Sequence, residues 1–197
     1  LASLSEANIA PPVRMPGSGL RESSLNSSHA GGEHVDRRGW IEMKELNRRL
    51  LIVSNRLPIV VGKEESGWKI SPGSGGLVTA LAPVMKKNEG IWIGWPGCGE
   101  EAPLKELFEH FRQEEGYRLG AVPLTEEEVD KYYLGFSNEA LWPLFHDLLG
   151  HCRFSFEDWL AYQKVNDRFA EVIAEASRPD DFVWVHDYQL MLVGKSL

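Results

Sequence analysis

The sequence predicts an α/β fold built on a mostly parallel, Rossmann-like sheet, and three observations predict it. Short, continuous apolar runs such as "RLLIVSN" (Arg49 to Asn55) and "DFVWVHDY" (Asp181 to Tyr188) read as strands buried on both faces of a parallel sheet. Between such runs lie stretches whose apolar residues recur at helical spacing, the longest marked by Trp159, Tyr162, Val165, Phe169, Val172 and Ile173. Helix starts are signalled by capping pairs, Thr125 with Glu128 and Ser155 with Asp158, in which each residue satisfies a free backbone donor of the other. Strands alternating with helices imply parallel pairing and right-handed crossovers.

In chain order, residues 1–48 are rich in Ser, Gly, Pro and charge and predict a disordered leader, followed by one Rossmann-like domain over 49–197. The chain opens on Leu1, and "MKELNRRLLIVSNRLP" from Met43 reads as a natural beginning. After the first strand, "PIVVGKEESGWKI" gives two short β-prone pieces around a turn, a hairpin. The glycine loop in "SPGSGGLVTALAPVM" (Ser71 to Met85) then opens a helix marked by Leu77, Leu81, Val84 and Met85. "GIWIGW" and "YRLGAVPL" return to strand character, the two capped helices follow, and Pro179 lies just past the second. "VHDYQLMLVGKSL" stops within what reads as a starting helix, so the domain is expected to be incomplete at its C-terminus. An open sheet edge beyond Val185 would then leave the isolated chain marginally stable or prone to associate.

Composition narrows the classes of partner. With 29 acidic against 21 basic residues, the chain lacks the basic surface of a nucleic-acid binder, so any anion site is local. No apolar run reaches the 18 or so residues of a membrane span. Cys98 and Cys152 lie far apart, without metal-type spacing or a secretory signal, and read as reduced thiols of a cytoplasmic protein. His110, His146 and His151 show no spacing for a metal.

In parallel sheets, ligands collect outside the carboxyl ends of the strands. Asn55 and Arg56 follow the first strand, the glycine loop opens a helix, and His186 with Asp187 follows the last strand. An Arg fork, a loop of bare main-chain N–H groups and a carboxylate together suit an anionic, hydroxyl-rich ligand. The loop is neither the dinucleotide G-x-G-x-x-G nor a Walker loop. Plainer roles stay open at this point. Asp187 could cap the helix after it, His186 could cap a strand end, Arg56 could pair with an acidic side chain, and Tyr133 and Trp142 could be core aromatics. Trp92 and Trp95 are divided evenly between packing and site.

Six ordered motifs, "SNRLP", "SGGLVTAL", "WIGWPG", "YYLGFSNEALWPLFH", "WLAYQKVNDRFA" and "VWVHDYQLML", make the chain resemble the N-terminal part of the trehalose-6-phosphate synthase family, from Arg49 to Leu197. The resemblance implies the acceptor-side half of a retaining GT-B glycosyltransferase that moves glucose from UDP-glucose to glucose 6-phosphate, giving trehalose 6-phosphate and UDP. It implies that Arg56 meets the acceptor phosphate, that Tyr133, Trp142 and Asp187 line the glucose 6-phosphate pocket with Trp95 close by, and that Gly75 and Gly76 approach the donor diphosphate. Arg56 and Asp187 are the residues it implies for the catalytic positioning. It further implies no metal, no cofactor and no enzyme nucleophile. A His in a His-Ile-Pro-Phe-Pro motif and an Arg and Lys of the second domain are not among these 197 residues, so the chain alone is expected to be inactive. A homo-oligomer, and a trehalose-phosphatase as fused domain or partner, are compatible with the resemblance. Two relatives remain as alternatives: glucosylglycerol-phosphate synthase and a catalytically silent sugar-phosphate-binding subunit.

Overall fold

The computed structural model describes residues 48–197 apart from Ser66 and Glu100, so the leader expected over 1–48 lies, but for Arg48, outside the described residues. Strand β1 (Leu50–Arg56) is central to a four-stranded parallel sheet, in which it pairs with β4 (Ile91–Trp95) on one side and β6 (Phe182–Val185) on the other. Beyond β4 lies β5 (Arg118–Ala121), which gives the order β5-β4-β1-β6. The period-2 alternation of β1 is split between two cores: Leu51 and Val53 point into one, Leu50 and Ile52 into the other. Strands buried on both faces need no polar alternation, which is why β1 reads as a continuous apolar run.

Between β1 and β4 the chain forms an antiparallel hairpin, β2 (Ile59–Glu64) with β3 (Gly67–Pro72), and then α1 (Gly76–Asn88). Leu81 and Met85 of α1, Ile59 and Val61 of the hairpin, and Phe111 of α2 (Leu104–Glu115) fill the core on one face of the sheet. α2 is largely polar, and Gly116 ends it in the left-handed conformation.

The other face is covered by a long helical segment and by α5 (Phe156–Ala176), whose Tyr162, Val165, Phe169 and Ile173 are buried as the spacing predicts, with Trp159 and Val172 at the margin. The long segment begins as a single turn, α3 (Glu126–Glu128), widens into a π-helix over Val129–Leu141, and finishes as α4 (Trp142–Phe145). The wider winding is seen in the Trp142 N–H, which donates to the carbonyl of Ser137 five residues back. Pro143 cannot donate to the carbonyl of Glu139, and Arg153 N takes that acceptor at 2.8 Å. The chain ends in a 3₁₀ turn over Tyr188–Leu190 and a short helix, α6 (Val193–Ser196).

The first capping pair forms as expected: Thr125 N donates to Glu128 Oε2 (3.1 Å) and Glu128 N to Thr125 Oγ1 (3.2 Å). The second forms by half. Ser155 Oγ accepts from Asp158 N (3.3 Å), but the Asp158 carboxylate lies against Gly135 of the π-helix, where an added Cβ would sit 2.7 Å from Asp158 Oδ2.

Glu128 does more than cap. It is 6% exposed, and Arg168 of α5 grips both its oxygens at 2.6 and 2.7 Å, with Lys164 at 3.0 Å. Hydrogen bonds from Arg168, foremost, hold its carboxyl at about 2 against the opposing effect of burial. Because the folded state depresses this pKa from an unfolded value of about 4.3, the stabilisation is present above that value and is lost as pH falls toward 2. We expect the melting temperature to fall steeply from about pH 4.5 to pH 2, on the order of 2–3 kcal/mol coming from this group. In Glu128→Gln that part of the acid slope should be missing, and an unchanged slope would remove Glu128 as its source.

One expected feature is corrected. The sequence predicts a last strand buried on both faces, but Phe182 is 41% and Trp184 45% exposed, so one face of β6, at the edge of the described sheet, is open. Its apolar residues therefore alternate between covered and open positions, and the buried run read from the sequence is only half buried. Cys98 and Cys152 are free thiols. Among the described residues, no helix is long and apolar enough to cross a membrane.

Candidate functional site

The site is built at the carboxyl ends of β1 and β6. Pairing of β1 with β4 runs regularly to Val53↔Ile93, shifts, and resumes at Arg56↔Trp95, so Ser54 and Asn55 form a bulge. Bulges re-aim side chains, and this one is fixed on all sides. The buried Trp92 Nε1 donates to Ser54 Oγ (2.8 Å), and Ser54 Oγ donates to the Arg56 carbonyl (2.7 Å). Leu57 N donates to the Trp95 carbonyl (3.0 Å), and Tyr132 Oη donates to Asn55 Oδ1 (3.0 Å). Gly94 lets the two backbones close, since a Cβ there would lie 2.8 Å from Arg56 C, Leu57 N and Ser54 O. Arg56 is left exposed, its guanidinium carbon 4.7 Å above the centre of the Trp95 ring in a cation–π contact. Among the described residues it makes no ion pair.

The glycine loop is tied beside it by Gly73 N, which donates to the Pro58 carbonyl at 2.8 Å. Gly75, at φ 135 and ψ 159, is the N-cap of α1 in a conformation open in practice only to glycine. A Cβ at Gly76 would meet no atom of the described residues within 4 Å. Among the described residues no side chain caps α1, and no acidic residue occupies its first turn, so its N–H groups present a positive end.

At the end of β6, His186 N continues the ladder to the Val53 carbonyl (2.8 Å), and its ring stacks on Trp184 with centres 4.7 Å apart. Burial pushes the His186 imidazole below its ordinary pKa, with Asp187 opposing, and its Nε2 is enclosed without a partner among the described residues. Asp187 follows at φ 75 and ψ 168, a region essentially reserved for glycine and costing on the order of 1–3 kcal/mol. Its Oδ1 accepts from Tyr188 N at 2.8 Å, which is the capping role, while the residue itself is exposed. Arg56, Gly75, Gly76, His186 and Asp187 line one cleft of about 630 Å³.

The profile of glycosyltransferase family 20 matches residues 48–197. The chain belongs to glycosyltransferase family 20. It is 45% identical over 150 residues to the trehalose-6-phosphate synthase of Mycolicibacterium gilvum, an alignment covering 75% of this chain and 29% of that protein. Among solved structures it resembles α,α-trehalose 6-phosphate synthase from Burkholderia multivorans (33% identity, TM-score 0.59), over 76% of this chain and 30% of the other. It also resembles the UDP-forming α,α-trehalose-phosphate synthase from Burkholderia xenovorans in complex with glucose-6-phosphate (29% identity, TM-score 0.55), over 75% and 30%. The chain thus spans about 30% of the length of the relatives it matches.

In this family 20 chain, Tyr133, Trp142 and Trp95 do not line the cleft that holds Arg56 and Asp187. Trp95 adjoins it through Arg56, and its Nε1 is enclosed without a partner among the described residues. Tyr133 is half-buried on the π-helix and packs against the core on that face of the sheet. Trp142 is 42% exposed and stacks on His146 (4.2 Å between centres), which rules out a core role. Trp92, by contrast, is fully buried and structural. Two supporting residues escaped the sequence reading, Ser54 and Tyr132. A signal was available for Trp92 and Trp95, since a spacing of three puts them on opposite faces of a strand.

The strain at Asp187 is testable with two variants. Asp187→Gly relieves it while Asp187→Ala keeps it, so the glycine variant should be the more stable by about 1 kcal/mol or more, a few degrees in Tm. Equal melting of the two would show that the backbone at 187 stores no strain.

Proposed function

We propose that the chain forms the acceptor side of a retaining glycosyltransferase that moves glucose from UDP-glucose to glucose 6-phosphate, giving trehalose 6-phosphate and UDP. One observation carries the reading: a guanidinium with no ion pair among the described residues and an exposed carboxylate stand at the ends of neighbouring parallel strands, around the same cleft as an uncapped, glycine-led helix start. The relative in complex with glucose-6-phosphate supports the choice of acceptor.

Arg56 offers two parallel N–H donors to a phosphate, a fork whose plane the Trp95 ring restricts from below. Asp187 offers acceptors to sugar hydroxyls, and the Gly75–Gly76 amides face the place where a diphosphate would gather charge. Tyr133 and Trp142 would close the acceptor from the side of the π-helix. The acceptor hydroxyl attacks on the face from which UDP departs, and its proton passes to the leaving phosphate. The chain's contribution to that step is orientation. The free thiols Cys98 and Cys152 suit a cytoplasmic setting.

Calorimetric titration with glucose 6-phosphate, beside a glucose control, tests the proposal. Binding that requires the phosphate is expected, and a folded chain that binds neither sugar, or both alike, would overturn it.

A further inference from the structure

Asp187 is held in its glycine-like conformation from both sides. Upstream, His186 N is fixed to β1 through the Val53 carbonyl at 2.8 Å. Downstream, two side chains of α5 take hold of the backbone of the following residues. Tyr162 Oη donates to the Tyr188 carbonyl (2.6 Å) and accepts from Met191 N (3.2 Å). Asn166 Nδ2 donates to the Gln189 carbonyl (3.1 Å) and to the Tyr162 carbonyl of its own helix (2.9 Å), while its Oδ1 accepts from Leu192 N (3.1 Å). Leu190 N closes the turn on the Asp187 carbonyl at 3.2 Å. Tyr162 and Asn166 are 1% and 0% exposed, so water does not compete for these bonds.

We propose that Tyr162 and Asn166 are positioning residues for Asp187: their buried hydrogen bonds to the 188–192 backbone hold Asp187 in the conformation that presents its carboxylate to the cleft. The proposal rests on the acceptor reading above. A buried amide and hydroxyl on the apolar face of a helix are unfavourable unless paired, and apolar residues would pack α5 equally well. What the polar pair adds is a grip on the loop that a hydrophobic contact, being non-directional, cannot supply. The Tyr162 ring also packs on Tyr132, 5.8 Å between centres, whose hydroxyl holds Asn55 beside Arg56. Both halves of the acceptor site are thus steadied from one pair of tyrosines.

Tyr162→Phe removes the hydroxyl and keeps the ring, which makes it the test. In the full chain it should weaken glucose 6-phosphate binding about tenfold or more, while Val165→Ala, a packing change on the same helix, lowers Tm and leaves affinity unchanged. Amide exchange at Met191 should quicken and the Asp187 Cα chemical shift should move in Tyr162→Phe but not in Val165→Ala. Unchanged affinity together with an unmoved Asp187 shift would overturn the proposal, leaving Tyr162 a fastening of the fold only. If the unmodified chain binds no glucose 6-phosphate, the acceptor reading falls, and the positioning role then stands or falls on the Asp187 shift alone.

Discussion

Arg56→Ala should weaken glucose 6-phosphate binding by about 100-fold or more and leave the melting temperature almost unchanged. Two hydrogen bonds to a charged group are worth about 3 kcal/mol or more together, and both go with the guanidinium. The side chain is exposed and its contact is the Trp95 ring, so the effect on stability should stay within about 0.5 kcal/mol. Arg56→Lys keeps the charge but loses the fork and its stacking on Trp95, and an intermediate loss, roughly tenfold, is expected. Titration of the three proteins decides the matter. Equal affinity in the unmodified chain and in Arg56→Ala would remove this residue from the phosphate site and leave the cleft without its principal cation.

Gly94→Ala should be strongly destabilising. Its Cβ would stand 2.8 Å from three atoms, Arg56 C, Leu57 N and Ser54 O, and all three are backbone, so no side chain can rotate away. The bulge at the end of β1 has to move. Overpacking of this kind costs typically 1–3 kcal/mol where side chains can adjust, and about 3 kcal/mol or more is expected here. For a domain of this size that corresponds to a Tm lower by roughly 6–12 °C. Because Arg56 is carried by the displaced segment, affinity for the phosphate should fall as well. Gly62→Ala in β2, where an added Cβ meets nothing within 4 Å, is the control and should melt close to the unmodified chain. If Gly94→Ala melted there too, the tight approach of β4 to the bulge would be wrong.

How much of this was legible beforehand depends on the range of the forces involved. The strands and the hairpin were readable because burial on two faces writes itself into consecutive residues, Leu50 to Val53 being the clearest case. The capping pair at Thr125 and Glu128 was readable because both partners lie within one turn. α2 was not read, although Leu104, Leu107, Phe108 and Phe111 recur at helical spacing and pack on the core, so the signal was present and was missed. The π-helix was not read either: the same apolar residues suit windings that differ by one residue per turn, and the choice is made by contacts such as Ser137 Oγ donating to the Tyr132 carbonyl at 2.8 Å. The open face of β6, with Phe182 and Trp184, depends on what packs over the strand, which the run itself does not encode. In the site, Arg56 and Asp187 followed from the rule that ligands gather at strand ends. The hydrogen bonds of Tyr162 and Asn166 reach 23 to 29 residues along the chain, and composition holds no trace of them.

The π-helix also sets what evolution can do with this stretch of gene. In an α-helix each residue advances the winding by about 100°. Deleting one codon between Val129 and Leu141 would collapse a wide turn to ordinary α winding and break contacts set by it, such as the bond from Ser137 Oγ to the Tyr132 carbonyl. Codons could be gained or lost far more freely at the hairpin tip between Glu64 and Gly67, where Glu64 and Glu65 are exposed. Length variation among natural variants should therefore gather at the tip and be missing from the 129–141 segment.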